Sequence, residues 1–333
     1  VNAAEVKPMN VIAGRAHIAG ALGRRLRKPA LAIGNFDGVH LGHRKLLEHA
    51  RRHATELGGE AGVLTFDPHP ARFFKPALAP PMLMTVERRL ELLAACGLDF
   101  ALVEPFDRKL AQTEAETFVS DILVGEIGVG HVVVGYDFSF GRGRRGNADL
   151  LAQLGAVQGF GVDVVPPVTV EGLTCSSTKV REFVLEGRVG GAEMLLGRPF
   201  EVQGHVVKGA GRGRGIGVPT ANLAAENELL PRPGIYAATA EILSGRFIGH
   251  TRAAAVSVGT NPTFTPGAAL SVEAHLLDFD DDLYGARMRL GFLDQLRDEE
   301  RYDGIDALVA QIRDDVARTR AIFEGRRPGR ASS

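Results

Sequence analysis

Five short apolar runs, each separated from the next by a stretch with helical spacing, organise residues 30–168. The runs are ALAIG (30–34), AGVLTF (61–66), FALVEPF (100–106), HVVVGYDF (131–138) and VDVVPPV (162–168). Between them, HRKLLEHARRHATEL (43–57) places Leu46, Leu47, Ala50, Ala54 and Leu57 on one helical face. TVERRLELLAACG (85–97) reads as a helix with Thr85 as N-cap and Gly97 past its end. Segments 114–128 and 147–160 read as two further helices. Strands that alternate with helices and carry few polar residues predict a parallel sheet covered on both faces. Such a sheet binds ligands at the carboxyl ends of its strands.

Size and charge bound the rest. A chain of 333 residues suits two domains better than one core. The net charge of -1 supplies no global field toward nucleic acid or anionic lipid. Two cysteines, Cys96 and Cys175, exclude a disulfide framework and suit a reducing compartment. No apolar run reaches membrane-spanning length, and VNAAEVKPMN has no signal-like apolar core. The expectation is a cytoplasmic protein without nucleic-acid or membrane partners; the oligomeric state is not readable.

The first strand runs into GNFDGVHLGHRKLL (34–47), with His40 and His43 at the helix entrance. Residues at i and i+3 share a helix face. A helix amino terminus favours an anion, to which the imidazoles add donors. Gly34 and Gly38 permit a tight turn, and Gly42 leaves room against the backbone. A polyphosphate suits this geometry. A zinc ion could also use the two histidines, with Asp37, His49 or His53 as weak candidates for a third ligand. Solvated histidines without a role are the bland alternative, and spacing alone leaves all three open. CSSTKVREFVLEG (175–187) follows the fifth strand; Ser176, Ser177 and Thr178 are N-cap types, with Lys179 and Arg181 nearby. Taken alone it reads as an ordinary capped helix.

Together, GNFDGVHLGHRKLL and SSTKVR resemble the nucleotidyltransferase superfamily with the His-x-Gly-His signature. With TFDPHP (65–70) and VVVGYDFSFGRGRRG (132–146) the chain resembles the adenylyltransferase half of bacterial bifunctional riboflavin kinase/FAD synthetases. The resemblance implies that Asn35, Phe36, Gly38, His40, His43, Ser177, Thr178 and Arg181 hold ATP, with His40, His43 and Arg181 catalytic. It also implies a flavin end formed by Asp67, Asp137 and Phe138, although the family often has Asn where Asp137 stands.

After about residue 197 the style changes. FEVQGHVV, GIYAATAEIL, FIGHTRAAAVSVG, LSVEAHLLDF and ARMRLGFL are short apolar stretches punctuated by Gly, Pro and Asn, which predicts a small antiparallel barrel. A last helix (304–323) sets Ile305, Leu308, Val309, Ile312, Val316 and Ile322 on one stripe. Two decoys fail their context. GAGRGRGIG (209–217) is not followed by a helix, so it is no dinucleotide fingerprint. DFDDDLYG (278–285) has Leu283 where a calcium loop needs Gly. GIGVPTANL (215–223) offers a Thr220 hydroxyl and an Asn222 carbonyl, hard donors for Mg²⁺, or else a polar turn between strands.

PTAN, VGTNPTF (258–264) and VEAHLLDFDDDLYG (272–285) resemble the riboflavin kinase domain. That implies Gly217, Pro219, Thr220 and Asn222 at ATP, Thr220 and Asn222 at Mg²⁺, Glu273 as general base, a glycine-rich flap over ATP, and RDEERYDG (297–304) bordering the flavin.

The expected architecture is an α/β nucleotidyltransferase domain, Rossmann-like with a parallel sheet, over 1–186. A linking helix covers 187–197, and a small antiparallel β-barrel kinase domain with a C-terminal helix covers 198–325. A disordered tail is expected over 326–333. The implied substrates are riboflavin, FMN and ATP. The rivals are a single-activity adenylyl- or cytidylyltransferase with a flavin-binding barrel, and a non-catalytic flavin-binding regulator.

Overall fold

The computed structural model describes residues 8–209, 217–259 and 270–326. By contacts the chain divides into two compact units. The first runs to Pro81 and resumes over Val86–Cys175; the second takes Met82–Thr85 and everything from Ser176 onward.

The first unit holds a six-stranded sheet of β1 (Asn10–Ala13), β2 (Ala30–Ile33), β3 (Ala61–Asp67), β4 (Phe100–Pro105), β5 (His131–Gly135) and β6 (Gly161–Val165). Their spatial order is β1-β4-β3-β2-β5-β6, and every neighbouring pair is parallel. The five expected strands are all present. The added one, β1, pairs only with β4, and its Val11 is half exposed. Every residue of the central strand β2 is buried, as a strand covered on both faces requires.

Helix α1 (Leu41–Leu57) packs against β2, β3 and β5 with Leu47, Ala50 and Ala54 buried. Leu31, Ile33, Leu64, Leu102, Val132 and Val134 join a core with Phe118, Val119, Ile122 and Leu123. Those last four belong to a segment read from sequence as an α-helix. The structure makes Phe118–Ile127 a π-helix, entered from one α turn at Ala115–Thr117. Helices α2 (Val86–Ala95) and α3 (Ala148–Gln158) complete the layers, and the Asn147 side chain caps α3 by accepting from Leu150 N–H.

This strand order sets the site. From β2 the chain builds outward through β3 to β4; it then crosses to β5 on the other flank of β2. Ligand crevices form where the order reverses, outside the carboxyl ends of the strands. Here that point lies between the ends of β2 and β5, from which 34–40 and 136–138 emerge.

The second unit begins with helices α4 (Ser177–Leu185) and α5 (Val189–Leu196). A closed antiparallel barrel follows: β7 (Phe200–Val207), β8 (Ala221–Ala225), β9 (Gly234–Ile242), β10 (Thr251–Gly259), β11 (Ser271–Leu276) and β12 (Arg287–Arg297), in the order β7-β8-β11-β10-β9-β12. Segment 221–225 is a barrel strand, not part of a turn; its ANLAA sequence has weak β-propensity, and pairing with β7 and β11 holds it. Tyr236 stacks edge-on to Phe292 inside, with ring centroids 5.3 Å apart. Gly204 permits close approach of β8, since a Cβ there would stand 2.0 Å from the Ala224 carbonyl oxygen.

Helix α6 (Ile305–Gly325) packs on β9, β10 and β12. Its expected stripe is only partly seated: Ile305 is 66% exposed, and the fully buried positions are Asp315 and Thr319. Asp315 receives Arg297 through Nε at 3.2 Å and Nη2 at 2.8 Å. That pair anchors α6 to β12. Asp315→Ala leaves a guanidinium in a largely dry site, and breaking such a pair costs about 3 kcal/mol. Urea denaturation should show that loss; a change near zero would mean that solvent already screens the pair.

Candidate functional sites

The β2–α1 connection is tight and left-handed. Phe36, Gly38 and Val39 have φ of 52°, 88° and 40°, and Phe36 and Val39 are buried despite that conformation. A buried guanidinium braces this loop. Arg89 of α2 donates through Nη1 to the Asn35 carbonyl at 3.0 Å and through Nη2 to the Phe66 carbonyl at 3.4 Å. The Thr65 hydroxyl donates to the same Asn35 oxygen at 3.2 Å. Burial lowers the Arg89 pKa from its ordinary value, and buried Asp37 together with Asp67 works against that fall. The sequence reading missed Arg89. Its signal was phase: Arg89 falls at i−3 and i−4 from the buried Leu92 and Leu93.

His40 is the N-cap of α1. Its Nδ1 accepts the His43 backbone N–H at 3.2 Å, which places the ring proton on Nε2. The His40 and His43 rings stack with centroids 3.6 Å apart and planes at 17°. Gly42 allows this, because a Cβ there would lie 3.0 Å from His40 Cε1. The amino-terminal N–H groups are partly spent. Besides the His43 N–H, that of Gly42 engages Cys175, whose thiol burial pushes above its ordinary pKa against the effect of that contact. An anion held here would therefore draw more on imidazole donors and the helix dipole than on open amides, unlike the simple expectation.

Asp67 ends β3 and is exposed. Asp137 and Phe138 follow β5, and Phe138 stacks on Phe140 at 5.4 Å. Near Asp67 lies a cluster that the sequence reading did not pick out: Phe66, Phe73 and Phe74 each pack edgewise on Phe106, at 5.6–5.7 Å, with Phe74 59% exposed. Ser177, Thr178 and Arg181 lie on α4 in the second unit; Ser176 is the cap, accepting from Lys179 N–H at 3.1 Å, and Arg181 is buried.

In the barrel, strand register assembles the other set. Asn222 on β8 stands opposite Glu273 on β11. The Thr220 hydroxyl donates to Glu273 Oε2 at 3.3 Å. His275 Nδ1–H donates to the Pro219 carbonyl at 2.8 Å, fixing the turn that carries Thr220. Gly217 has φ of 76°. A Cβ on Gly209 would come within 2.1 Å of Asn222 Nδ2, so glycine there leaves the amide its place. Hydroxyl, amide and carboxylate oxygens form a hard donor set that fits Mg²⁺. The glycine-rich segment at 210–216 and TNPTF at 260–264 lie outside the described residues.

The comparisons agree with both halves. The FAD synthetase family model matches residues 23–179, and the riboflavin kinase family model matches 196–323. A bifunctional riboflavin kinase/FMN adenylyltransferase of Pseudomonas fluorescens is 39% identical over 290 residues, 87% of this chain and 91% of that protein. The protein of the same name from Escherichia coli K12 is 38% identical over 294 residues, 88% and 92% of the two chains. A crystal structure from Streptococcus pneumoniae, described as a macrolide-efflux protein, superposes with a TM-score of 0.80 at 30% identity, over 93% of this chain and 98% of that one. No helix among the described residues is long and apolar enough to cross a membrane. The chain belongs to the family of bifunctional riboflavin kinase/FMN adenylyltransferases.

Proposed function

We infer that this chain makes FAD from riboflavin in two ATP-dependent steps, phosphorylation in the barrel and adenylylation at the parallel sheet. The observation that supports this reading is that each unit gathers its own polar set: His40 and His43 at the switch point, Thr220, Asn222 and Glu273 on the barrel. We assign adenylylation to 1–186, phosphorylation to 198–325 and the join to 187–197. The free cysteines, Cys96 and Cys175, fit a reducing cytoplasm.

In the barrel, the 5′-hydroxyl of riboflavin attacks the γ-phosphorus of ATP. Glu273 takes the hydroxyl proton, the bond to the β-phosphate oxygen breaks, and FMN and ADP form. Thr220 orients Glu273 through its hydroxyl hydrogen bond. Thr220 and Asn222 would hold Mg²⁺, which neutralises charge on the transferring phosphoryl group. Gly217 and Pro219 shape the approach to the ATP phosphates.

At the sheet, an FMN phosphate oxygen attacks the α-phosphorus of a second ATP. The bond to the β-phosphate breaks, and pyrophosphate leaves with the electron pair. The attacking group is already ionised, so the protein's work is electrostatic. His40 Nε2–H and His43 donate to the phosphates. Ser177, Thr178 and Arg181 add hydroxyl and guanidinium donors for ATP. Asn35, Phe36 and Gly38 form the loop that sets the histidines. Asp67, Asp137 and Phe138, with the Phe74–Phe106 shelf, receive the flavin, whose flat ring matches exposed aromatic edges.

His43→Ala should lower FAD formation from FMN by about 10²–10³-fold while riboflavin phosphorylation persists; loss of both activities in a folded variant would contradict separate sites. Glu273→Ala should abolish FMN formation and spare FMN adenylylation. Chromatography of flavins after incubation with ATP and Mg²⁺ reads both. Normal phosphorylation by Glu273→Ala would remove the assigned base.

A further inference from the structure

A second cluster of histidines lies on α1 away from the nucleotide loop. His49 and His53 occupy i and i+4 on one face. At about 1.5 Å rise per residue they lie roughly 9 and 15 Å along the helix from His43. Asp163 of β6 faces them: its Oδ2 is 2.8 Å from His49 Nδ1 and 2.8 Å from His53 Nε2. His131, the first residue of β5, stacks on His53 with centroids 3.6 Å apart. The donor atoms of His53, His131 and Asp163 lie within 4.8 Å of one another. His131 Nε2 is buried without a hydrogen-bond partner among the described residues.

Two further details define the cluster's surroundings. His53 Nδ1 lies 2.9 Å from Glu56 Oε2. His53 thus stands between two carboxylates, Glu56 on Nδ1 and Asp163 on Nε2, and a metal at Nε2 would leave the Nδ1–H bond to Glu56 in place. A carboxylate behind a histidine is the usual support of a metal-ligating imidazole. The second detail is Arg52. Its Nη2 stands 3.1 Å from Asp163 Oδ2, 3.2 Å from His53 Nε2 and 3.3 Å from His49 Nδ1. Asp163 Oδ2 is thus approached by three nitrogens at once, from His49, His53 and Arg52. The Arg52 side chain is half exposed and also lies 3.8 Å from Glu56.

We propose that His53, His131 and Asp163, with His49 as fourth ligand through its place beside Asp163, form a structural site for a divalent first-row transition metal of the Zn²⁺ class, joining α1 to β5 and β6. Imidazole nitrogens and one carboxylate suit that class. Ligand atoms around tetrahedral Zn²⁺ are about 3.3 Å apart, so the 2.8 Å contacts open by about half an ångström. His131 turns about its Cβ–Cγ bond to leave the stack, and Arg52 moves to solvent. The proposal does not depend on the assignment of the two transferase sites, because it concerns residues used by neither.

The test uses the full chain, stripped with a chelator and titrated with Co²⁺ and Zn²⁺. The wild type should bind one equivalent, with the intense visible absorption of tetrahedral Co²⁺, and Zn²⁺ should displace it. His53→Gln and Asp163→Asn should lose the signal. Glu56→Gln should weaken binding about 10- to 100-fold. Arg52→Gln should tighten it severalfold by removing the competing cation. Arg52 and Glu56 are half exposed, so those two variants keep the test independent of how the less exposed positions tolerate change. A wild type without tetrahedral Co²⁺ absorption would overturn the proposal. So would binding that survives His53→Gln and Asp163→Asn, which marks an adventitious ion only, or an Arg52→Gln variant that binds no more tightly.

Discussion

The placement of the first site depends on one buried guanidinium. Three turn positions, Phe36, Gly38 and Val39, take positive φ at the end of β2, and two of those residues bear full side chains. Such backbone persists only where surroundings over-determine it. Arg89 does this by bonding the carbonyls of Asn35 and Phe66, so the loop after β2 is tied to the end of β3. Buried charge is costly unless paired and bonded. Here Asp37 and Asp67 supply the opposite charge. With the loop held, His40 arrives at the N-cap position with its ring orientation set by its own hydrogen bond.

The barrel reaches its chemistry by a different route. Glu273, Asn222 and Thr220 converge through strand register, since opposed residues on β8 and β11 share one patch of the wall. A one-residue slip would send Asn222 or Glu273 to the other face. The two halves thus use different devices for related tasks. On the proposed reading, a strand-to-helix turn presents donors to the polyphosphate of ATP, which is attacked by an FMN phosphate that is already ionised. A β wall presents a carboxylate to an alcohol that must lose its proton. This division matches the residue types, since the first set lacks a carboxylate base and the second lacks the stacked imidazoles.

Much of this was legible in the sequence, for identifiable reasons. Buried parallel strands are largely apolar, so β2 to β5 stood out, and the edge strand β6 was read from its valines, though only Val165 is buried. β1 did not, because a four-residue edge strand with one exposed valine has no pattern to read. β8 was hidden because alanine and asparagine form a strand there only through their neighbours. His40, His43, Thr220 and Glu273 lie in contiguous motifs. Arg89, the Phe73–Phe106 cluster and the Asp163 histidine cluster are assembled by the fold from distant segments. The helix terminus was read as offering open amides, yet His40 and Cys175 occupy two of them. His49 and His53 were noted as weak zinc candidates with Asp37; the fold places them on Asp163 instead.

Positional labelling of ATP tests the central claim, two distinct phosphorus targets in one chain, most directly. The purified protein is given riboflavin and Mg²⁺ with ATP labelled at either the α or the γ phosphorus, and the flavins are separated. The account predicts γ label in both FMN and FAD, and α label in FAD alone. FMN free of γ label, or FAD free of α label, would contradict it.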